Sequence, residues 1–140
     1  REFSIVDLLA SLPKEVLVDT ISHSQIGVKE KYKKKNEGCN CGDDVEKYLK
    51  AVNLRKGNPW CAAFVKWCLD SAGIKNTMDG RASSAVNKNN LIFKSGGRKK
   101  DEDRIRRGDV FTLYYGNLKR IGHTGFITRR DGRKIYTKQN

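Results

Sequence analysis

The stretch Asn58-Pro59-Trp60-Cys61-Ala62-Ala63-Phe64-Val65-Lys66-Trp67-Cys68 restricts the fold more than any other. It has the marks of a helix start. Asn58 suits the cap, because its side-chain oxygen can accept from an otherwise unpaired first-turn N–H. Pro59 then falls at the first helical position, where a missing N–H costs nothing. Counted from that cap, Cys61 is the third helical residue. Helix N-termini carry about half a positive charge, which favours a thiolate over a thiol, and the thiolate is the nucleophilic form. The same placement also suits a buried structural cysteine, since free Cys is among the most buried residue types. The helix is expected to run to about Ala72 and to close on Gly73, with Trp60, Phe64, Trp67 and Cys68 as its core-facing stripe.

A second stretch, Gly122-His123-Thr124-Gly125-Phe126-Ile127, reads as a strand led by a histidine. His123, Gly125 and Ile127 share one face of it, and Gly125 leaves space beside the imidazole for a helix or a substrate. One histidine on a strand is more often a structural residue. Together with a helix-start cysteine far upstream it forms a Cys/His pair that is distant in sequence and can be adjacent in space. The other histidine, His23, lies on an early predicted helix and reads as a surface or partly buried position.

The remaining elements follow from periodicity and turn chemistry. Residues 1–20 read as a helical extension: Phe3, Ile5, Val6, Leu8 and Leu9 form an apolar lead-in. Pro13 opens a helix with Val16, Leu17, Ile21 and Val18 inward and Gly27 as its end. Residues 29–42 read as a basic loop. Asp43 and Glu46 make a capping pair for a helix whose Val45, Tyr48, Leu49 and Val52 recur at i, i+3, i+4 and i+7. Between residues 75 and 104 only Leu91-Ile92-Phe93, a short buried segment, and a turn at Gly96-Gly97 are legible, and the Lys99–Arg107 charge run reads as solvated surface. Strands are expected over 109–115, 123–129 and 133–138, with a turn at Gly116-Asn117 and a hairpin signal at Asp131-Gly132. Helices first and antiparallel strands after give an α+β layout, with N-terminal helices packed on a C-terminal antiparallel sheet.

Pro59–Cys68, Gly108-Asp109-Val110-Phe111 and Gly122–Ile127 occur in an order and at a spacing that resemble the CHAP family, cysteine- and histidine-dependent amidohydrolases and peptidases of peptidoglycan. Gly27–Glu30 and Val45–Leu49 are also similar to the segment before the cysteine helix in that family, so the resemblance spans roughly residues 20–138. It implies a papain-like fold near the NlpC-type peptidases and one catalytic domain over 1–140. It implies that Cys61 attacks an amide of the stem peptide or cross-bridge, that His123 moves the proton, and that the Cys61 N–H helps hold the oxyanion. A third polar residue after the histidine usually orients the imidazole; Gln139 and Asn140 are the candidates, though the usual Glu-Gly-Asn pattern is not kept. No metal and no cofactor is implied. The partners implied are a peptidoglycan peptide and an anionic wall polymer, the protein a monomer. The location implied is secreted, periplasmic, cell-surface or phage-lysis related.

The chain of 140 residues carries a formal charge of +13, with 32% charged and 9% aromatic residues, which suits a folded soluble domain with a real core. The charge fits adsorption to a polyanion, and equally a solvated basic surface. It leaves open a non-catalytic module that binds cell wall or nucleic acid. No zinc-finger, helix-turn-helix or RNA-binding aromatic motif is present, so no specific nucleic acid is expected. No apolar run approaches the roughly 20 residues of a membrane helix. No signal peptide is visible, and a start at Arg1 reads as a processed or excised form truncated at either end.

Cys61 and Cys68 stand about 10.5 Å apart on one helix at about 1.5 Å per residue, too far for a disulfide, which needs under about 7 Å. Cys39 and Cys41 look too close in sequence for an easy bridge to each other, so a bridge from either one to Cys68 is the alternative weighed for an exported protein. The spacings match no common zinc pattern.

Overall fold

A computed structural model describes residues 13–26, 32–34, 37–132 and 134–138. Its elements are α1 (Lys14–Ser24), β1 (Tyr32–Lys34), β2 (Glu37–Gly38), α2 (Asp43–Lys50), α3 (Cys61–Ser71), two single 3₁₀ turns (Ala82–Ala85 and Lys88–Asn90), α4 (Lys99–Glu102), β3 (Val110–Tyr115), β4 (Arg120–Asp131) and β5 (Lys134–Lys138). β1 and β2 pair antiparallel, and β3-β4-β5 form an antiparallel sheet with β4 in the middle. The chain is α+β, with the three-stranded antiparallel sheet after the helices as expected, and the β1/β2 pair between α1 and α2 departs from the helices-first order. The apolar lead-in at residues 3–9 and the proposed end of α1 at Gly27 lie outside the described residues.

The helix signals were right in kind and shifted in detail. α1 starts after Pro13, whose carbonyl accepts from Leu17 N–H at 2.9 Å. Its buried positions are Val18, Asp19 and Ser22, with Leu17 and Ile21 partly covered. Val16, expected inside, is 45% exposed. It sits two residues and about 200° around the helix from Val18, so both cannot face the core. α2 buries Val45, Tyr48 and Leu49 as expected. Its cap is Gly42 (φ 117°) instead of Asp43, and Glu46 reaches back to accept from Gly42 N–H at 3.1 Å. The turn after α2 closes on Asn53 in the left-handed region (φ 58°), with Leu54 N–H donating to Leu49 C=O at 3.0 Å.

α3 starts later than the Asn-Pro signal implied. Trp60 is the cap and Cys61 the first helical residue, where the sequence pointed to Asn58 and the third position. Asn58 instead turns its amide onto Arg55 C=O at 2.8 Å, closing the loop before the helix. The far end behaves as read: Gly73 takes φ +72°, donates to Asp70 C=O at 3.0 Å, and Ile74 N–H reaches Leu69 C=O at 2.9 Å. This double bond pattern closes a helix on a left-handed glycine.

Two regions read as loops or core are otherwise. Part of the basic 29–42 segment is the β1/β2 ladder. Backbone pairing needs no apolar pattern, so periodicity gave no sign of it. Leu91 is 54% exposed, and Ile92 and Phe93 are only partly covered, so that segment is not buried core. The strands fall where expected, β4 longer at both ends, with Asp131 paired to Lys134 around Gly132 (φ 61°).

Tyr48 joins the helices. Its ring stacks on Trp60 at 5.7 Å and meets Phe64 and Trp67 edge-on at 5.1 and 5.3 Å. Its hydroxyl donates to Gln25 Oε1 at 2.6 Å. Burial, followed by the nearby Asp44 and Cys68, pushes the phenol well above its ordinary value, so it stays a donor. The sheet joins this cluster through Phe64 and Phe126, edge to face at 6.1 Å. Such aromatic pairs contribute about 0.5–1.5 kcal/mol beyond their buried area. Thr124, also buried, donates its hydroxyl to Phe111 C=O at 2.8 Å, so its own polar group is satisfied under the helices.

Removing either ring of the helix–sheet pair should be costly. Phe64→Ala or Phe126→Ala is expected to lower the unfolding free energy by about 3–5 kcal/mol. The double variant should lose less than the sum, because one contact is shared. Val16→Ala should stay within about 0.5 kcal/mol. Urea denaturation of the four proteins checks this.

Candidate active site

Cys61 occupies the first position of α3 as a free, half-buried thiol. The first intrahelical bond is Phe64 N–H to Trp60 C=O at 2.9 Å, so the N–H groups of Cys61, Ala62 and Ala63 precede the helical ladder. Those donors and the helix dipole are the two properties that a nucleophilic cysteine uses. Behind Cys61 the helix is immobilised by Trp60, Ala62, Ala63, Phe64 and Val65, all buried. Cys68, two turns on, is fully buried in the core.

His123 lies on β4, the strand against which α3 packs. Phe64 and Phe126, which make that contact, each follow the candidate residue by three positions. The direction of β4 can be read from its other end. Ile127 C=O accepts from Gly108 N–H at 2.8 Å, and Gly108 lies against the first turn of α1, 3.2 Å from Glu15 C=O when a Cβ is placed on it. Arg107 beside it pairs with Asp19. Lys14, in the same turn of α1, donates to Gly73 C=O at the C-terminal end of α3 at 2.9 Å. The Ile127 end of β4 thus faces the C-terminal side of α3. Running back from Ile127 along β4, Phe126 contacts Phe64 and His123 follows three residues further on.

The sheet shapes the surroundings of His123. Leu113 pairs with His123 but Tyr114 pairs with Ile121, so Gly122 is an extra residue, a bulge directly before the histidine. Phe111, across the ladder, places its ring 5.9 Å from the imidazole. His123, Gly125 and Ile127 form one row of the pleat, and the contact with α3 comes from Phe126 in the alternate row. The Gly-Asp turn also has a structural role: Gly108 (φ +89°) and Asp109 open the β3/β4 ladder by bracketing Ile127.

The loop after α3 closes over the sheet. Asp79 holds Arg81 through its guanidinium at 2.7 Å and its N–H at 2.8 Å, and these bonds keep the Asp79 carboxyl down at about 2. Ser84 donates to Arg81 C=O at 2.6 Å and accepts from Asp79 N–H at 2.9 Å, setting the turn Ala82–Ala85.

Other cysteines and basic groups lie apart from this arrangement. Cys39 and Cys41 form a disulfide with each other, against the expectation that they were too close. The reason is Asn40, whose φ of 48° folds the three-residue loop so that the two Cα atoms stand 5.2 Å apart. With that bridge made, Cys68 stands outside any disulfide and is not its partner. Asn40 C=O also accepts from Gly57 N–H at 2.9 Å, tying the disulfide loop to the approach of α3. No group of three metal-ligating side chains occurs among the described residues. An open groove of about 540 Å³ is lined by Arg106, Arg107, Arg129 and Arg130, at a distance from the cysteine along β4. Its arginines are engaged: Arg107 with Asp19, Arg130 with Asp103, and Arg129 over the Tyr136 ring at 4.3 Å. His23 is an exposed residue of α1. Gln139 and Asn140 lie outside the described residues; the described part of β5 ends at Lys138, paired with Phe126.

A family model described as the CHAP domain matches residues 53–140, more than half of the chain. The chain belongs to the CHAP domain family. CHAP domains act on peptidoglycan, generally as amidases or peptidases. The match contains Cys61, His123, Gln139 and Asn140 and starts after α2, so the upstream likenesses at Gly27–Glu30 and Val45–Leu49 fall outside it. No curated protein and no solved structure matches the chain. No described helix is long and apolar enough to cross a membrane.

The Gly122 bulge and the Asn40–Gly57 tie were not foreseen. Gly122 ahead of the histidine was the visible signal for the first; nothing in the spacing announced the second.

The three kinds of cysteine should separate chemically. Iodoacetamide on the native protein is expected to label Cys61 alone, Cys68 only after denaturation, and Cys39 and Cys41 only after reduction. Peptide mass mapping checks this, and native labelling of Cys68 as fast as Cys61 would contradict the burial described.

Proposed function

We propose that this CHAP domain is a peptidoglycan amidase or endopeptidase in which Cys61 is the nucleophile and His123 the general base and acid. The observation that carries the reading is a half-buried free thiol at the first position of a helix packed on the strand that bears the histidine, both inside the CHAP match. His123 takes the thiol proton, and sulfur attacks the amide carbonyl. The oxyanion is held by the Cys61 N–H, which lies ahead of the helical ladder. His123 then protonates the leaving amine, and a thioester remains on Cys61. Water, deprotonated by His123, attacks that thioester and frees the acid and the thiol. Gln139 or Asn140 orients the imidazole by hydrogen bonding its other nitrogen. The chemistry asks for no metal.

The net charge of +13 supports a second reading, a basic module that adsorbs to an anionic wall or to nucleic acid without turnover. Both are separated by one assay. Purified cell wall in a gel should be cleared by the native sequence. Cys61→Ala and His123→Ala, folded by circular dichroism, should lose at least about a thousandfold in rate. His23→Ala, Cys39→Ser and Cys41→Ser should keep most of it. Full clearing by Cys61→Ala refutes the enzyme reading; adsorption without clearing by the native chain supports the binding module. Mass spectrometry of the released fragments identifies the bond cut.

A further inference from the structure

Gly122 is the point where the sheet makes a concession with no benefit to the core. It is the unpaired residue of the bulge between Ile121 and His123. A Cβ placed on it would stand 2.4 and 2.8 Å from two ring carbons of Tyr115. The Tyr115 ring therefore lies on bare backbone, and any larger residue at 122 would push it away. A glycine inside a strand costs about 0.5–1 kcal/mol relative to Ala, and a bulge interrupts the ladder. Tyr115 seated this way remains 37% exposed as a residue and is not part of the buried core. Leu113, in the same row of β3, is 41% exposed, and Leu118, whose N–H donates to Tyr115 C=O at 3.1 Å, is 46% exposed. Contiguous exposed apolar surface of this kind marks a contact site.

The surface is continuous with the candidate active site. On β3, Phe111, Leu113 and Tyr115 alternate in one row; Leu113 pairs with His123, and Phe111 lies 5.9 Å from its ring. The row leads from His123 to the hairpin tip, where Lys119 and Arg120 are exposed. It is an open face, suited to a polymer laid along it. An exposed aromatic ring with a hydroxyl at its edge and cations beyond suits a pyranose: a sugar's C–H face can pack on the ring while its oxygens meet the polar rim.

We propose that Tyr115, seated on Gly122, is a substrate-binding residue that stacks a sugar of the glycan strand beside His123. This rests on the hydrolase reading and sharpens it. A sugar held next to the histidine puts the reacting amide at the junction of glycan and peptide, not far out in a cross-bridge.

The test separates this from turnover. The Cys61→Ala protein is titrated with a soluble N-acetylglucosamine hexamer, by calorimetry or by amide chemical shifts. Saturable binding is expected, with shifts at residues 113–123. Adding Tyr115→Ala should weaken it at least tenfold, Tyr115→Phe less than threefold, and Gly122→Ala should act like Tyr115→Ala. Should Gly122→Ala fail to fold, the two Tyr115 variants decide alone. Absence of hexamer binding, or binding unchanged by Tyr115→Ala, overturns the proposal. Wild-type clearing of cell wall is measured in parallel. Clearing without a Tyr115 effect overturns this inference and leaves the hydrolase. Hexamer binding lost in Tyr115→Ala without clearing supports the platform and refutes the hydrolase.

Discussion

The edge-to-face contact of Phe64 and Phe126 is the interaction on which the arrangement of this domain depends. It is the ring contact that ties the cysteine helix to the middle strand of the sheet. The rest of the aromatic cluster gives it rigidity. Tyr48 touches Trp60, Phe64 and Trp67 at once and anchors its hydroxyl on Gln25, so α1, α2 and α3 meet on one side chain. Each buried aromatic contributes about 1.5–3 kcal/mol by removal from water. The consequence for chemistry is positional: Trp60 and Phe64 flank Cys61, so the packing that fixes the helix also fixes the thiol.

Much of this was legible because it rests on local signals. Val45, Tyr48 and Leu49 are spaced as one helical face and all three are buried. Gly73 read as a helix end and takes the left-handed angle that only glycine adopts cheaply. Pro-Trp-Cys-Ala-Ala-Phe-Val marked the cysteine helix, and the family match confirms the resemblance drawn from it. What failed to show was set by tertiary or backbone effects. Asn58 had the chemistry of a cap, but its amide is drawn to Arg55 C=O, so the helix begins at Cys61. The Cys39–Cys41 bridge depends on a left-handed Asn40, which spacing alone does not reveal. Val16 looked apolar enough for the core, but the rotation of α1 is decided by Val18 and Ser22.

The candidate site combines a rigid half and a shaped half. The helix contributes a thiol and N–H groups that precede the helical ladder, on a frame held by buried side chains. The sheet contributes the histidine, next to a bulge that glycine makes possible. Bulges recur beside active sites because they redirect a side chain without moving the strand. Here the bulge seats Tyr115 and precedes His123, which links the proposed recognition surface to the proposed base through one residue.

The central claim is that Cys61 and His123 act as a pair at the N-terminal end of α3. The most direct measurement is the pH profile of iodoacetamide reaction at Cys61, in the native sequence, in His123→Ala and in His23→Ala. The account predicts that His123→Ala shifts the profile toward higher pH and slows reaction at neutral pH, while His23→Ala leaves it in place. Identical profiles in all three proteins would contradict the pairing.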